Sequence, residues 1–232
     1  MKILIVVPTY NERDNVEPLT KAVMELRLPV DLLFVDDASP DGTGEVVDHL
    51  ATEMPGVFAI HRSGKQGLGT AYVTGFRWGL ARDYTDFVEM DGDFSHDPAA
   101  LPAFCETGAR YDVVVGSRYL RGVSVVDWPL RRLALSFFAN GYVRVITGLP
   151  FTDATSGFRL YRRRVLEALD LDTLLSDGYA FQIEMLYRAH RLGFRIGEIP
   201  IIFYGRHSGV SKLGRKVVWE AMWLPWRLRL RR

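Results

Sequence analysis

Cysteine and long apolar runs are scarce in this sequence, and both absences limit the classes of protein that it fits. Cys105 is the single cysteine in 232 residues, so the chain has no internal disulfide framework and suits a reducing compartment. No stretch reaches the ~18 consecutive apolar residues of a membrane-spanning helix, and the apolar residues before Pro8 are too few for a secretory signal. We therefore expect a cytoplasmic location.

Complete phosphate-binding glycine loops are also lacking. A dinucleotide fingerprint requires its glycines directly after the first strand, where this chain has PTYNE (8–12). The later GLGTAY (67–72) has Tyr72 at the position of the third glycine, and Ala59 stands where a P-loop would require its first glycine. These departures exclude a dinucleotide-dependent dehydrogenase, and any nucleotide must be held in another way.

Net charge is close to zero but unevenly distributed. The whole chain carries +1, whereas residues 212–232 contain seven basic residues and one acid, a net +6 that leaves −5 for residues 1–211. Three of the five tryptophans also lie in this tail. Tryptophan interleaved with arginine is typical of a membrane interface. We therefore predict one domain over 1–211 and a membrane-interfacial tail over 212–232, and we expect Pro225 to end the helix of the tail.

Two alternatives for the tail carry less weight. Its apolar residues would also suit packing against the domain's own sheet, and both arrangements can hold in part. A basic tail would suit nucleic acid as well, but the acidic remainder of the chain disfavours that partner. We therefore expect no nucleic acid.

Continuously apolar runs predict strands that are buried on both faces. They lie at 2–7, 31–37, 57–61, 86–91 and 111–118, with a further candidate at 158–164 and a proline-containing strand, expected near an edge, at 195–205. Helical patterns lie between and after them, at about 15–26, 41–53, 68–82, from 98, 129–147 and 179–192. Alternating strands and helices predict a single α/β domain with a mostly parallel central sheet.

Two carboxylates follow the fourth strand, at Asp91 and Asp93. Ligands of such sheets bind outside the carboxyl ends of the strands. Residues at i and i+2 of an extended segment point the same way, so the two side chains suit one divalent cation, Mg²⁺ or Mn²⁺. His96 is either a further ligand or a packing residue. Zinc is disfavoured because His and Cys do not cluster.

Basic residues stand on predicted loops and helix starts. They are Arg118, Arg131, Arg132, Arg206 and Lys212. Several such side chains together would form an anion site, whereas any one of them alone would also suit a solvated surface.

Nine motifs in order resemble the family 2 glycosyltransferases, and more narrowly those that transfer mannose to dolichyl or polyprenyl phosphate. They are VVPTYNE, VDDASPDGT, GLGTAYVTGF, MDGDFSHDP, VVGSRY, WPLRR, DATSGFRLYRR, GYAFQIEM and GRHSGVSK. The resemblance covers nearly the whole chain. It implies a GT-A-like, Rossmann-related fold that binds a nucleotide sugar.

The resemblance also implies roles for particular residues of this chain. The donor would be bound by Pro8, Tyr10, Glu12, Val35, Asp37, Arg206 and Lys212, together with the acid pair. Asp91 and Asp93 would bind the metal, the sugar and the diphosphate. Arg118 and Arg132 would grip the acceptor phosphate, and Arg118 would act with the acid pair as a catalytic residue. Some relatives use Gln as a metal ligand where this chain has Ser95, which leaves the third protein ligand open.

The implied reaction is inverting transfer of mannose from GDP-mannose to a polyprenyl (dolichyl-type) monophosphate. A phosphate oxygen is anionic near neutral pH and needs no general base, so the enzyme's work is positioning and electrostatics. The alternatives are transfer of glucose or another hexose from a UDP-sugar, and a non-catalytic partner of a membrane glycosyltransferase. We expect peripheral attachment to the cytoplasmic face of a membrane, and a separate membrane-anchoring subunit remains open.

Overall fold

A computed structural model describes residues 2–174, 178–205 and 215–230, with backbone alone for 178–179 and 215–221. Within these residues, seven strands form one sheet. They are β1 (Ile3–Thr9), β2 (Val30–Asp36), β3 (Val57–His61), β4 (Asp86–Glu89), β5 (Val113–Ser117), β6 (Arg159–Arg162) and β7 (Ile196–Pro200). Eight α-helices of the described part of the chain surround it. They are α1 (Arg13–Glu25), α2 (Thr43–Glu53), α3 (Leu68–Leu80), α4 (Leu101–Gly108), α5 (Leu130–Thr147), α6 (Arg163–Ala168), α7 (Gly178–Arg191) and α8 (Arg215–Leu230).

The sheet has the order β3-β2-β1-β4-β6-β5-β7. All neighbouring pairs are parallel except those of β6, which runs antiparallel to both β4 and β5. The predicted mostly parallel α/β domain is therefore confirmed. The proline-containing strand lies at the edge, as expected, since β7 pairs with β5 alone in the described sheet.

Alternate residues of β1 pack into two apolar layers, one on each face of the sheet. Leu4 and Val6 belong to one buried cluster, and Ile3, Ile5 and Val7 belong to the other. Because both faces are covered by helices, the strand is apolar from Ile3 to Pro8 and does not alternate. This packing explains the continuous apolar run that the sequence shows.

Helix α3 approaches the sheet closely because two of its glycines face β1 and β4. A methyl group at Gly75 would overlap Val6, and one at Gly79 would overlap Phe87. The absence of side chains there lets the helix axis lie near the strands. The amino end of α3 thereby comes to the same sheet edge as the ends of the strands.

Helix α8 continues through Pro225 to Leu230, so the prediction that Pro225 ends this helix was wrong. Leu224 and Leu228 are buried in the same apolar cluster as Val143 of α5. This burial on both sides of the proline offsets the hydrogen bond that proline removes. The packing of the tail's apolar residues is partial, since Met222 of the same helix is exposed. None of the helices in the described ranges combines the length and the apolar composition that crossing a bilayer requires.

Candidate active site

Three neighbouring strands end in sharp turns at the carboxyl edge of the sheet. Asn11, Ala38 and Phe94 follow β1, β2 and β4, and their φ angles are 59°, 53° and 59°. Non-glycine residues adopt this left-handed region at a cost that the surrounding structure must support, and such residues concentrate at functional sites. The three turns therefore mark one candidate site, as the strand-end argument predicted.

The predicted nucleoside-binding residues lie at the ends of β1 and β2. Pro8 and Val35 are register partners across these strands. Tyr10 is half-buried, and the Lys65 ammonium lies 4.6 Å from the centre of its ring. Glu12 accepts a hydrogen bond from the side-chain amide of Asn15 at 2.7 Å, so its carboxylate is held at the start of α1.

Asp37 is held in place by an arginine that the sequence analysis did not single out. Arg62 directly follows β3, is buried, and forms an ion pair with Asp37. Its remaining donors bind the Thr70 hydroxyl at 2.8 Å and the Gly67 carbonyl at 3.0 Å. This ion pair fixes Asp37 and ties the start of α3 to the sheet edge. A basic residue directly after a strand was the available clue.

The acid pair lies just beyond β4 with its two carboxylates in different environments. The Asp91 side chain is 29% exposed and accepts a hydrogen bond from the Tyr72 hydroxyl at 3.2 Å. Asp93 is 4% exposed and accepts a bond from the backbone N–H of Ser95 at 3.1 Å. The site thus presents one accessible carboxylate and one that is more enclosed.

His96 supports the backbone of the acid pair. Its Nδ1 accepts the N–H of Asp91 at 3.0 Å, and its ring stacks on Phe158 at 4.9 Å between centroids. The residue is buried, and burial lowers the pKa of the imidazole. A neutral imidazole whose Nδ1 already accepts a hydrogen bond serves to pack and to position the backbone. This arrangement favours the interpretation of His96 as a packing residue over that of a metal ligand.

The oxygen atoms near the acid pair suit a hard divalent cation. The Ser95 hydroxyl is buried, and no hydrogen-bond partner for it occurs in the described ranges. In the same ranges no three residues from His, Cys, Asp and Glu come together as a metal-ligand group. Two carboxylates and a hydroxyl would leave several positions to water and phosphate oxygens, an arrangement that Mg²⁺ prefers.

A third carboxyl group, Glu89, lies two residues before Asp91 and is fully buried. Neither of its oxygens makes a hydrogen bond of ordinary geometry with the described residues. Burial raises the pKa of Glu89 to about 8, although the nearby charge of Arg159 and the nearby Gln182 amide favour the charged form and oppose the rise. Glu89 is therefore mostly protonated at neutral pH and adds little negative charge to the site. An acid inside an apolar strand was the clue in the sequence.

A small space adjoins Asp91 where Gly157 has no side chain. A methyl group there would lie 3.6 Å from His96 Cε1, 3.8 Å from Gln182 Nε2 and 3.9 Å from Asp91 Oδ1. The Gln182 amide is buried, and neither of its polar atoms has a partner in the described part of the chain. The absence of a side chain at Gly157 therefore leaves room between the accessible Asp91 carboxylate and the Gln182 amide.

Arg118 follows β5 and is buried in a bidentate ion pair. Its Nε and Nη2 donate to the two Asp153 oxygens at 2.6 and 2.7 Å, and Nη2 also donates to Thr155 at 2.7 Å. Tyr119, Trp128 and Phe203 surround the guanidinium, each with its ring centre 5.5 Å away. Arg118 is thus a rigidly held cation, and its predicted contact with the acceptor phosphate stays a prediction.

Arg132 lies in the first turn of α5, on the same side of the site. Its guanidinium lies 4.0 Å above the Trp128 ring. None of the ion pairs in the described structure involves Arg132, so its charge is not neutralised there. The structure therefore brings the two predicted acceptor arginines to one aromatic ring. Arg206 and Lys212 lie outside the described residues.

The segment 201–205 joins the acid pair to this aromatic pocket. Phe203 forms bridges with both His96 and Val125, and its ring lies 5.4 Å from that of His96 and 5.3 Å from that of Trp128. One strand-like segment therefore contacts both the support of the acid pair and the aromatic pocket around Arg118.

Comparison with known proteins identifies relatives over nearly the whole chain. Residues 4–170 match the family described as "Glycosyl transferase family 2". The undecaprenyl-phosphate mannosyltransferase of Micrococcus luteus is 47% identical over 223 residues, which is 96% of this chain and 91% of that protein. The polyprenol monophosphomannose synthase of Mycolicibacterium smegmatis is 46% identical over 223 residues, 95% of this chain and 84% of that protein.

Solved structures show the same fold at lower sequence identity. Glucosyl-3-phosphoglycerate synthase from Mycobacterium tuberculosis, in complex with Mn²⁺, UDP-glucose and phosphoglyceric acid, superposes with a TM-score of 0.70. The superposition covers 97% of this chain and 79% of that one at 20% identity. A second structure of that protein, with Mn²⁺, UDP and phosphoglyceric acid, gives a TM-score of 0.71.

Proposed function

Because the chain belongs to glycosyl transferase family 2, we propose that it transfers mannose from GDP-mannose to a polyprenyl monophosphate. The product would be polyprenyl-phosphate mannose. The observation that carries the proposal is the juxtaposition of an acid pair with an arginine-rich aromatic pocket through residues 201–205. Two mannosyltransferases that are 46–47% identical to this chain support the choice of sugar and acceptor.

The donor would lie across the ends of β1, β2 and β4. Pro8, Tyr10 and Val35 would contact the nucleoside, and Asp37, fixed by Arg62, would accept hydrogen bonds from it. The diphosphate would extend toward the acid pair. Glu12, Arg206 and Lys212 keep the donor-binding roles that the family resemblance implies.

Asp91, Asp93 and the Ser95 hydroxyl fit a divalent cation, Mg²⁺ or Mn²⁺. When bound, such an ion would stabilise negative charge on a departing nucleoside diphosphate. The neutral state of Glu89 fits this site, since a further carboxylate would repel the diphosphate. His96 would keep the Asp91 backbone in position.

The acceptor phosphate would bind at Arg118 and Arg132, where guanidinium donors suit phosphate oxygens. An oxygen of the phosphate would attack the anomeric carbon from the face opposite the diphosphate, which inverts the configuration there. That oxygen is already anionic near neutral pH, so no residue has to remove a proton. The protein would therefore act by holding two anions in line.

The lipid would reach this pocket from a membrane surface. α5 begins at the acceptor pocket and exposes Leu135, Phe137 and Phe138, while α8 exposes Trp223 and Trp226. Apolar and aromatic side chains on interfacial helices bind at the headgroup level, and arginines add attraction to anionic lipids. We assign 1–211 to catalysis and 212–232 to peripheral binding at the cytoplasmic leaflet, with or without an anchoring subunit.

The test is transfer of labelled sugar into lipid. The full-length enzyme would be incubated with labelled GDP-mannose, GDP-glucose or UDP-glucose and with undecaprenyl phosphate, and the lipid would be extracted and counted. We expect label from GDP-mannose in the lipid. We expect no label when undecaprenol, which lacks the phosphate group, replaces undecaprenyl phosphate. EDTA should abolish transfer, and Mg²⁺ or Mn²⁺ should restore it.

Two matched variants separate the metal site from general damage. Asp93→Asn should reduce the rate by ~10²-fold or more, as for loss of one strong electrostatic group. Asp97→Asn, four residues on, should stay near wild type, because Asp97 caps a short turn through Ala99 and Asn caps equally well. Absence of lipid label with every donor would refute the proposed function, and full activity in excess EDTA would refute the metal site.

A further inference from the structure

The ring of one tryptophan lies near both arginines of the acceptor pocket. The ring centre of Trp128 is 5.5 Å from the guanidinium carbon of Arg118 and 4.0 Å from that of Arg132. The centres of the Trp128 and Phe203 rings are 5.3 Å apart, and the two rings are nearly perpendicular. An aromatic face attracts a cation at such distances, so the Trp128 ring favours the approach of both arginines.

The indole nitrogen of Trp128 is a buried donor without an acceptor. Its Nε1 has essentially no contact with solvent, and no described atom accepts a hydrogen bond from it. Among buried side-chain nitrogens of the described residues, the amide of Gln182 is the only other one in this state. Leaving such a donor unpaired costs free energy, and each case in a folded protein calls for an explanation such as a missing ligand.

The surroundings of this donor favour an anion. Asp153 neutralises much of the charge of Arg118, but no described carboxylate pairs with Arg132. Trp128 also stands two residues before the first residue of α5, an 18-residue helix whose amino end attracts negative charge. The residue that carries the unpaired indole N–H therefore adjoins both a guanidinium without a described counter-ion and the start of a helix.

We propose that Trp128 is a third ligand of the acceptor phosphate, with its indole N–H donating a hydrogen bond to a phosphate oxygen. The proposal rests on the proposed function, because the acceptor phosphate is the anion assigned to Arg118 and Arg132. Indole is neutral and can only donate, so it adds a directed contact without adding charge. The same ring contacts both guanidinium groups.

The test compares two tryptophan-to-phenylalanine variants of the full-length protein. Trp128→Phe keeps an aromatic face for the arginines but removes the N–H. Trp78→Phe is the matched control, because Trp78 also carries an arginine over its ring, Arg82 at 3.7 Å, and belongs to α3. Calorimetry with farnesyl phosphate, farnesol and GDP-mannose measures each ligand separately.

We expect Trp128→Phe to weaken farnesyl phosphate binding about tenfold or more, the range for a hydrogen bond to a charged acceptor. GDP-mannose binding should stay unchanged, and Trp78→Phe should bind both ligands as wild type does. In steady-state assays Trp128→Phe should raise the KM for the lipid phosphate more than it lowers kcat. Equal affinity of wild type and Trp128→Phe for farnesyl phosphate would overturn the proposal.

A second measurement on wild-type protein covers the case of a variant that folds poorly. With ¹⁵N-labelled indole groups, the Nε1–H resonance of Trp128, assigned by its loss in Trp128→Phe or by specific labelling, should move downfield when farnesyl phosphate is added. The Trp78 resonance should not move. A Trp128 resonance that stays in place while the ligand binds would also overturn the proposal.

The result separates this proposal from the proposed function. If the wild type transfers mannose to lipid but Trp128→Phe binds farnesyl phosphate as tightly as wild type, only the role of Trp128 as a ligand is refuted. If farnesyl phosphate binding depends on Trp128 but the protein glycosylates no polyprenyl phosphate, the role of Trp128 as a phosphate ligand is supported and the proposed transfer reaction is refuted. Wild type that fails to bind farnesyl phosphate refutes both.

Discussion

A carboxyl group that burial keeps protonated makes stability depend on pH, and Glu89 is such a group. Its pKa in the folded protein is about 8, whereas the unfolded chain would ionise near the ordinary value. Between these two values the folded state binds a proton that the unfolded state has released. The free energy of unfolding contributed by Glu89 therefore falls as pH rises through this window.

Glu89→Gln should remove that dependence, because an amide does not ionise. In metal-free buffer, we expect the stability of the variant relative to wild type to increase by about 2–3 kcal/mol between pH 5.5 and pH 7.5. Urea unfolding of both proteins at several pH values measures the difference. Glu106→Gln, at an exposed carboxylate of α4, is the control and should follow wild type. Parallel stability curves for wild type and Glu89→Gln would contradict the buried neutral carboxyl.

At the scale of single elements, α8 is the clearest case in which packing overrides a local signal. Leu228 is 6% exposed in the apolar cluster shared with α5 and α7, whereas Leu230, two residues on, is 78% exposed. The helix therefore contributes to the stability of the domain and also presents residues to the outside. Removing the whole helix would mix these two roles, so point variants are the sharper test.

Leu228→Ala should lower the free energy of unfolding by about 2–5 kcal/mol, the usual cost of removing a buried leucine side chain. Leu230→Ala should change it by no more than about 0.5 kcal/mol, as for an exposed position. Thermal or urea unfolding compares the two. Equal, small effects would mean that α8 does not pack on the domain as described.

At the scale of the whole molecule, exposed apolar side chains gather on two helices that lie against each other. The Tyr142 hydroxyl of α5 donates to the Met222 carbonyl of α8 at 2.6 Å. Phe138 on α5 is 73% exposed and Trp223 on α8 is 64% exposed. Large apolar patches on soluble domains mark interaction surfaces, and the basic residues of the tail suit an anionic bilayer.

Phe138→Ser and Trp223→Ser should each weaken sedimentation of the full-length protein with anionic phosphatidylglycerol vesicles about tenfold, since each side chain loses its burial in the lipid interface. Wild-type binding should also fall at high salt, because the arginine contribution is screened. Leu192→Ser, at an exposed leucine after α7, is the control and should bind as wild type. If both α5 and α8 variants bind vesicles as wild type does, the proposed membrane surface is wrong.

The sequence by itself determined the architecture and the chemistry-bearing positions. Runs that are mostly apolar and do not alternate indicate burial on both faces, so β1 to β5 and a mostly parallel sheet could be predicted from pattern alone. Acids directly after buried strands fixed Asp37, Asp91 and Asp93 at one sheet edge. These features depend on residues that are close together in the chain, so the local pattern of apolar and acidic residues predicts them directly.

Only the tertiary structure decided which groups are paired, neutral or left without a partner. Arg118 pairs with Asp153, 35 positions away, and Arg62 pairs with Asp37, 25 positions away. The antiparallel direction of β6, the helix through Pro225 and the proximity of Arg118 to the Trp128 ring likewise come from tertiary contacts. Burial sets the protonation of Glu89 and the strength of every ion pair, and burial is a property of the folded molecule that no local pattern contains.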